Sequence, residues 1–325
     1  MKLTSLSPWV VVLLAMAACS SIYATPTLVT RPVNTFPAPS NAQAAKSMPS
    51  TAATEIVVSQ TPTEEVMRAM ETAQIKSEIA ITGTQIVTIT VVYDNNPYDA
   101  RLTSAWGFSA LVENHGYTVL FDTGGDGQIL VQNMRTLGID PTHLDAVVLS
   151  HAHDDHTGGL IPLLNAGAKP TVYLLASFPS SFKHRVGQYT LISEVSTRQS
   201  IAEGIWTAGE VEGEIPEQAL VIQTGGGLVV ISGCAHPGIV TMVKQAQDTV
   251  NAPILLVLGG FHLVDKSPAA IEAIVSAFKQ MGVQQVAPCH CTGETAIARF
   301  SAVYGDSFIK AGVGRVIRLE DSQVK

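Results

Sequence analysis

Apolar and polar residues change rhythm repeatedly along this chain, and each change predicts an element. Ile86-Val87-Thr88-Ile89-Thr90-Val91-Val92-Tyr93 alternates as a strand does, and Asp94-Asn95-Asn96-Pro97 ends it. Residues 108–112 and 117–121 read as a hairpin across Glu113-Asn114-His115-Gly116. An amphipathic helix over 128–137 sets Ile129, Leu130, Met134 and Leu137 on one side, and Gly138 stops it. A short helix over 160–165 and a strand over 171–175 follow, whereas 178–210 shows no clear period. A second hairpin pairs 219–223 with 227–232 over Thr224-Gly225-Gly226. Beyond it the pattern predicts helix 239–249, strand 253–258, helix 268–281 opened by Ser267, strand 283–287 and helix 294–304. Meanders followed by strand–helix alternation suit two sheets packed face to face with helices outside.

The N-terminal region has a different texture. Residues 1–24 read as an export signal: Lys2, then the apolar run Trp9-Val10-Val11-Val12-Leu13-Leu14-Ala15-Met16-Ala17-Ala18, too short to span a membrane stably. Ala17-Ala18-Cys19-Ser20 resembles a bacterial lipoprotein cleavage box, so Cys19 is a candidate for lipidation and membrane attachment; cleavage after Ala24 would instead release the protein. Either outcome places it on the periplasmic or extracellular side. Residues 25–60, rich in Pro, Thr, Ala and Ser, bury too little apolar surface to offset chain entropy and read as a disordered tether. Thr61-Pro62-Thr63-Glu64 then opens a short helical lead-in (61–83) before the main domain at 84–325.

Composition narrows the field. Charged residues make up 14% of the 325, the formal net charge is -8, and no basic block occurs, which argues against a nucleic-acid partner and for a small-molecule substrate. Four cysteines, one of them Cys19, do not make a disulfide framework, so the domain must rest on apolar burial, for which 46% hydrophobic content is ample.

The densest chemistry lies in Ala146-Val147-Val148-Leu149-Ser150-His151-Ala152-His153-Asp154-Asp155-His156-Thr157-Gly158-Gly159. A buried strand runs into a stretch with three histidines and two aspartates, and a Gly pair breaks it. In extended backbone, residues two apart share a side, so His151 and His153 can reach one cation together. Asp155 and His156 follow where the chain turns, adding a carboxylate and a third imidazole. Such donors suit zinc, with manganese or iron as alternatives, and a metal-bound water becomes a hydroxide nucleophile near neutral pH. Three further strand ends carry histidine: Gly233-Cys234-Ala235-His236, Gly259-Gly260-Phe261-His262 and Cys289-His290-Cys291-Thr292-Gly293. Strand ends gathered on one sheet edge would bring them together. His236 and His290 are therefore candidate ligands. His262 is a candidate for substrate binding or acid–base catalysis, with Asp155 as the other catalytic candidate. Asp122, at the end of Leu120-Phe121, would orient a ligand histidine from behind, and Cys234 could ligate or pack close to the ligands.

His-x-His-x-Asp-His at a strand end resembles the signature of the metallo-β-lactamase superfamily. With Asp94-Asn95, Trp106-Gly107-Phe108-Ser109, Phe121-Asp122-Thr123-Gly124 and the three later histidine motifs, the chain is similar to one branch of it. That branch contains the 7,8-dihydropterin-6-methyl-4-(β-D-ribofuranosyl)-aminobenzene-5'-phosphate synthase-like proteins. The resemblance runs from about residue 86 to 314. It implies a four-layer αββα sandwich and a site for two divalent metal ions. His151, His153 and His236 would hold one ion, and Asp155, His156 and His290 the other. Two departures stand out. Where many of these hydrolases have a Thr-x-Gly-His turn this chain has Thr207-Ala208-Gly209-Glu210, and where they have a bridging aspartate it has Cys234 and His236. Three functions follow as alternatives: a metallohydrolase of a phosphoester, lactone, ester or amide; a pterin-linked synthase-like activity; or a metal- or ligand-binding lipoprotein.

Overall fold

The computed structural model describes residues 85–321. The expected export signal, the tether and the helical lead-in lie outside the described residues. Within them, β1 (Gln85–Asp94), β2 (Phe108–Asn114), β3 (Tyr117–Phe121), β4 (Ala146–Val148), β5 (Thr171–Leu175) and β6 (Ile192–Val195) lie side by side in chain order. A second sheet holds β7 (Thr197–Ala202), β8 (Ile205–Gly209), β9 (Leu220–Thr224), β10 (Gly227–Ser232), β11 (Ile254–Gly260) and β12 (Gln285–Cys289), again in chain order. The last strand, β13 (Val316–Asp321), returns to the first sheet beside β1.

Alternation along the strands builds three apolar layers. Phe121, Val148, Ile231 and Leu258 face one another between the sheets. Leu120, Val147 and Leu149 turn the other way, under α1 (Gly127–Leu137) and α3 (Leu160–Asn165), where Leu130, Met134, Leu160 and Leu163 meet them. On the far side, Leu228, Val230 and Val257 carry α5 (Ile239–Val250), α6 (Pro268–Gln280) and α7 (Glu294–Tyr304) through Met242, Val275, Phe278 and Phe300. Strands β3–β6 and β10–β12 are parallel among themselves, and the central β4 and β10 are buried on both faces, which is why they read as unbroken apolar runs. The result is the expected αββα sandwich. Local signals set the helix ends. Asp126 accepts from the N–H groups of Gln128 and Ile129 to open α1, and Gly138 closes it at φ 76°.

Differences from the sequence pattern have physical causes. Residues 178–210 contain α4 (Ser180–Gly187), β6, β7 and β8. Strand β7 ends its sheet and is largely exposed, so no apolar alternation marks it. The strand leading to His151 stops at Val148, and the chain bends at His151 and Ala152 before His153, which precedes the one-turn helix α2 (Asp154–Thr157). The histidine loops also come from two sheets rather than one edge: β4 belongs to the first, β10, β11 and β12 to the second.

Candidate metal centre

At one end of the sandwich two groups of donors meet. His151, His153 and His236 form the first, with ligand atoms all within 4.8 Å of one another. Their ring centroids are 4.7–4.8 Å apart, and His151 Nε2 faces His153 Nδ1 at 3.1 Å. Asp155, His156, Cys234 and His290 form the second. Cys234 Sγ lies 3.2 Å from His156 Nε2 and 3.3 Å from His290 Nε2, while Asp155 Oδ2 lies 3.6 Å and 3.4 Å from the same nitrogens. The rings of His151 and His156, 4.2 Å apart, join the groups. The loop after β4 and the loops after β10 and β12 thus bring together all six residues expected to bind metal. Cys234, expected to ligate or to pack close to the ligands, puts its sulfur within the second group, because its backbone is clamped at the end of β10.

Three of the imidazoles are held from behind. Asp122, at the end of β3 with φ 56°, accepts at Oδ1 from the Ser150 N–H (2.7 Å). Its Oδ2 accepts from the Ser150 hydroxyl and from His156 Nδ1–H, both at 2.7 Å. The Ser150 oxygen is then free to accept from His151 Nδ1–H at 2.9 Å. Asn95, at the end of β1, accepts from His290 Nδ1–H at 2.9 Å and donates to the His290 carbonyl at 3.2 Å. These bonds fix the tautomers so that Nε2 of His151, His156 and His290 points into the centre. Gly233 makes the close fit possible. A Cβ there would lie 2.1 Å from Ser150 Oγ and 2.9 Å from Asp122 Oδ2.

Glu217 is the residue that sequence reasoning missed. It is fully buried, and its Oε1 accepts from the N–H groups of Gly233 (3.0 Å), Cys234 and Ala235 (both 2.9 Å). Its Oε2 accepts from the His236 N–H at 2.9 Å. The loop that aims Cys234 and His236 is therefore wrapped around one carboxylate. Burial raises the Glu217 carboxyl to about 7, against the lowering pull of the Ala235 and His236 N–H groups. Four donors and no acceptor meet its oxygens, an arrangement that requires the ionised form. In the sequence nothing separates it from Glu212 and Glu214 except its place just before the apolar strand β9.

The electrostatics fit cation binding. Burial, then the neighbouring imidazoles, push His151 far below its ordinary pKa, and burial with His262 and His153 takes His236 to about 4. Both rings are neutral at pH 7, and His236 Nε2 is buried with no hydrogen-bond partner. Burial opposes the charging of His156, but Asp122 overrides it and raises this ring to about 9. Burial would raise Asp155, yet His290 and His156 hold it well below the ordinary carboxylate range. Neutral imidazoles at His151 and His236, a carboxylate and one sulfur make a donor set suited to zinc, and His156 would give up its Nε2 proton on binding the cation. Of the remaining candidates, His262 stacks on His236 at 4.4 Å, on the sulfur side of the centre. Glu210 accepts from the Ser177 hydroxyl at 2.6 Å and belongs to neither group. Trp106, 56% exposed, lies beside His290 with ring centroids 5.0 Å apart.

The family model of the metallo-β-lactamase superfamily matches residues 107–250. The 7,8-dihydropterin-6-methyl-4-(β-D-ribofuranosyl)-aminobenzene-5'-phosphate synthase of Methanocaldococcus jannaschii is 30% identical over 281 residues, covering 70% of this chain and 95% of its own. The chain belongs to the metallo-β-lactamase superfamily. Among solved structures, a metal-dependent hydrolase of the β-lactamase superfamily superposes with a TM-score of 0.62 at 31% identity, covering 72% of this chain and all of that one. A diphosphatase at 16% identity and TM-score 0.51, covering 72% of this chain and 98% of its own, shares the fold.

Proposed function

We propose that the protein is a metal-dependent hydrolase of a small phosphoester, lactone or other ester or amide. The observation that carries this reading is the pair of adjacent donor groups joined at His151 and His156. His151, His153 and His236 would hold one divalent ion, and Asp155, His156, Cys234 and His290 a second, with zinc the best match. Such ions lower the pKa of water and stabilise negative charge developing on an attacked phosphoryl or acyl centre. The protein's own groups orient and exclude. Asp122, Ser150 and Asn95 keep three imidazoles in the binding tautomer. Asp155, the partly exposed carboxylate of the second group, would face the attacking water and orient it by accepting a hydrogen bond. Trp106 offers an apolar wall beside His290 against which a substrate can lie.

The test is turnover of phosphodiesters, lactones and β-lactams by zinc-loaded protein, with and without chelator, beside His151→Ala. Chelator-sensitive hydrolysis that His151→Ala abolishes is expected. Fully metallated protein that hydrolyses none of these classes would overturn the proposal. That result would favour a synthase-like reaction, the reading supported by the M. jannaschii relative's name. Export and lipidation at Cys19 belong to the same proposal, since they would place the enzyme at the cell envelope. Radiolabelled palmitate incorporated by wild type and lost in Cys19→Ala checks that part.

A further inference from the structure

A third group of donors, two buried cysteines and a half-buried histidine, adjoins the two described. Cys234 Sγ, Cys291 Sγ and a ring nitrogen of His262 lie within 4.8 Å of one another. They follow β10, β12 and β11, parallel neighbours whose ends converge. The backbone around them is specialised. His262 has φ 53°, Ala235 next to Cys234 has φ 65°, and His290 next to Cys291 has φ 49°. Left-handed conformations at non-glycine residues cost on the order of 1 kcal/mol each and persist where the surroundings enforce them. Gly260 adds to this, because a Cβ there would lie 2.7 Å from Cys291 Sγ and 3.2 Å from Cys234 Cα. Glycine is what allows both cysteines to sit side by side.

Simple core filling accounts for two buried thiols, which behave as small apolar groups. It does not account for an imidazole turned toward them, nor for His262 Nδ1, which is buried without a partner. We propose that Cys234, His262 and Cys291 form a third metal site for a thiophilic d10 cation such as zinc, with Cys234 bridging it to the second of the paired ions. The group contains no carboxylate, and two sulfurs with one imidazole select against magnesium, calcium and manganese. Tetrahedral zinc holds sulfur and nitrogen donors roughly 3.3–3.8 Å apart, so the side chains need to draw in by about 1.5 Å at most. As the cation enters, each thiol gives up its proton to solvent, and no electrons move. His262 thereby acts as a ligand rather than in proton transfer.

The test is metal stoichiometry. Full-chain protein is stripped with chelator, titrated with zinc, desalted and analysed by elemental mass spectrometry; a parallel titration with cadmium reads thiolate charge-transfer absorbance. Wild type is expected to retain about three equivalents, and Cys291→Ser and His262→Ala about two. The cadmium–thiolate absorbance of Cys291→Ser should fall by more than half. A wild-type plateau at two equivalents, or variants that keep the wild-type stoichiometry, would overturn the proposal. If either variant misfolds, alkylation of Cys291 in wild type decides. Protection that appears only with the third zinc equivalent supports the site, and protection that is complete at two or never appears defeats it. None of these readouts involves turnover, so their failure leaves the hydrolytic reading untouched.

Discussion

Glu217→Gln isolates the buried carboxylate at little change in volume. The amide oxygen can still face Gly233, Cys234 and Ala235, but the amide NH2 must then meet the His236 N–H, donor against donor. One charge-assisted hydrogen bond is lost, worth about 1.5–3 kcal/mol, and the other three weaken to neutral bonds worth about 0.5–1.5 kcal/mol each. Removing a buried charge returns part of this, because no carboxylate then has to be desolvated. A net loss of about 2–4 kcal/mol is expected. Urea unfolding of the metal-free forms, followed by far-ultraviolet circular dichroism, measures it without any contribution from bound metal. The same change loosens Cys234 and His236, so competition with a chromogenic chelator should show zinc affinity lowered by about 10–100-fold. If metal-free Glu217→Gln unfolds within about 0.5 kcal/mol of wild type and zinc affinity is unchanged, Glu217 does not organise this loop. Lost stability with unaltered affinity would make it a structural brace with no hold on the ligands.

Three further outcomes test neighbouring parts of the argument. Gly233→Ala drives a Cβ into Ser150 Oγ at 2.1 Å and should cost about 1–3 kcal/mol, read as a lower melting temperature of metal-free protein; an unchanged melt would mean that the two loops move apart freely. Asp122→Asn leaves one acceptor oxygen where two served Ser150 and His156, turning an amide NH2 on one of these donors, and should weaken zinc binding by about 10–100-fold in the chelator assay, while Asp126→Asn, at a helix cap away from the centre, should not. Saturating metal at about 100 times its dissociation constant should stabilise the fold by about 2.7 kcal/mol per site, visible as a higher melting temperature that chelator reverses.

The sandwich was legible because its strands are buried on two faces and its helices on one. Val147 and Val148 point into different layers yet are both apolar, so β4 announces itself as a run, while Leu130 and Met134 mark α1 by their spacing. Strand β7 escaped notice because the sheet ends there: Thr197, Arg198 and Gln199 are held by pairing with β8 and owe nothing to burial. The candidate site shows the same division. Histidines 151, 153 and 156 stand together in sequence, and their positions at strand ends suggested that His236 and His290 would join them. Glu217 and the placement of Cys234 could not be read that way. A carboxylate becomes an organiser only when four N–H groups from another loop close on it, and that closure is tertiary.

One consequence of the architecture concerns how the metals and the scaffold depend on each other. His151, His153, Asp155 and His156 ride on the sheet that contains β4; Cys234, His236 and His290 ride on the other. Neither layer owns a complete coordination shell, so cations seated there rivet the two together. Any slip between layers at that end tears the shell in half, whereas breathing at the opposite end leaves it whole. The rate at which bound metal would be released is therefore a clock for how often the two layers part.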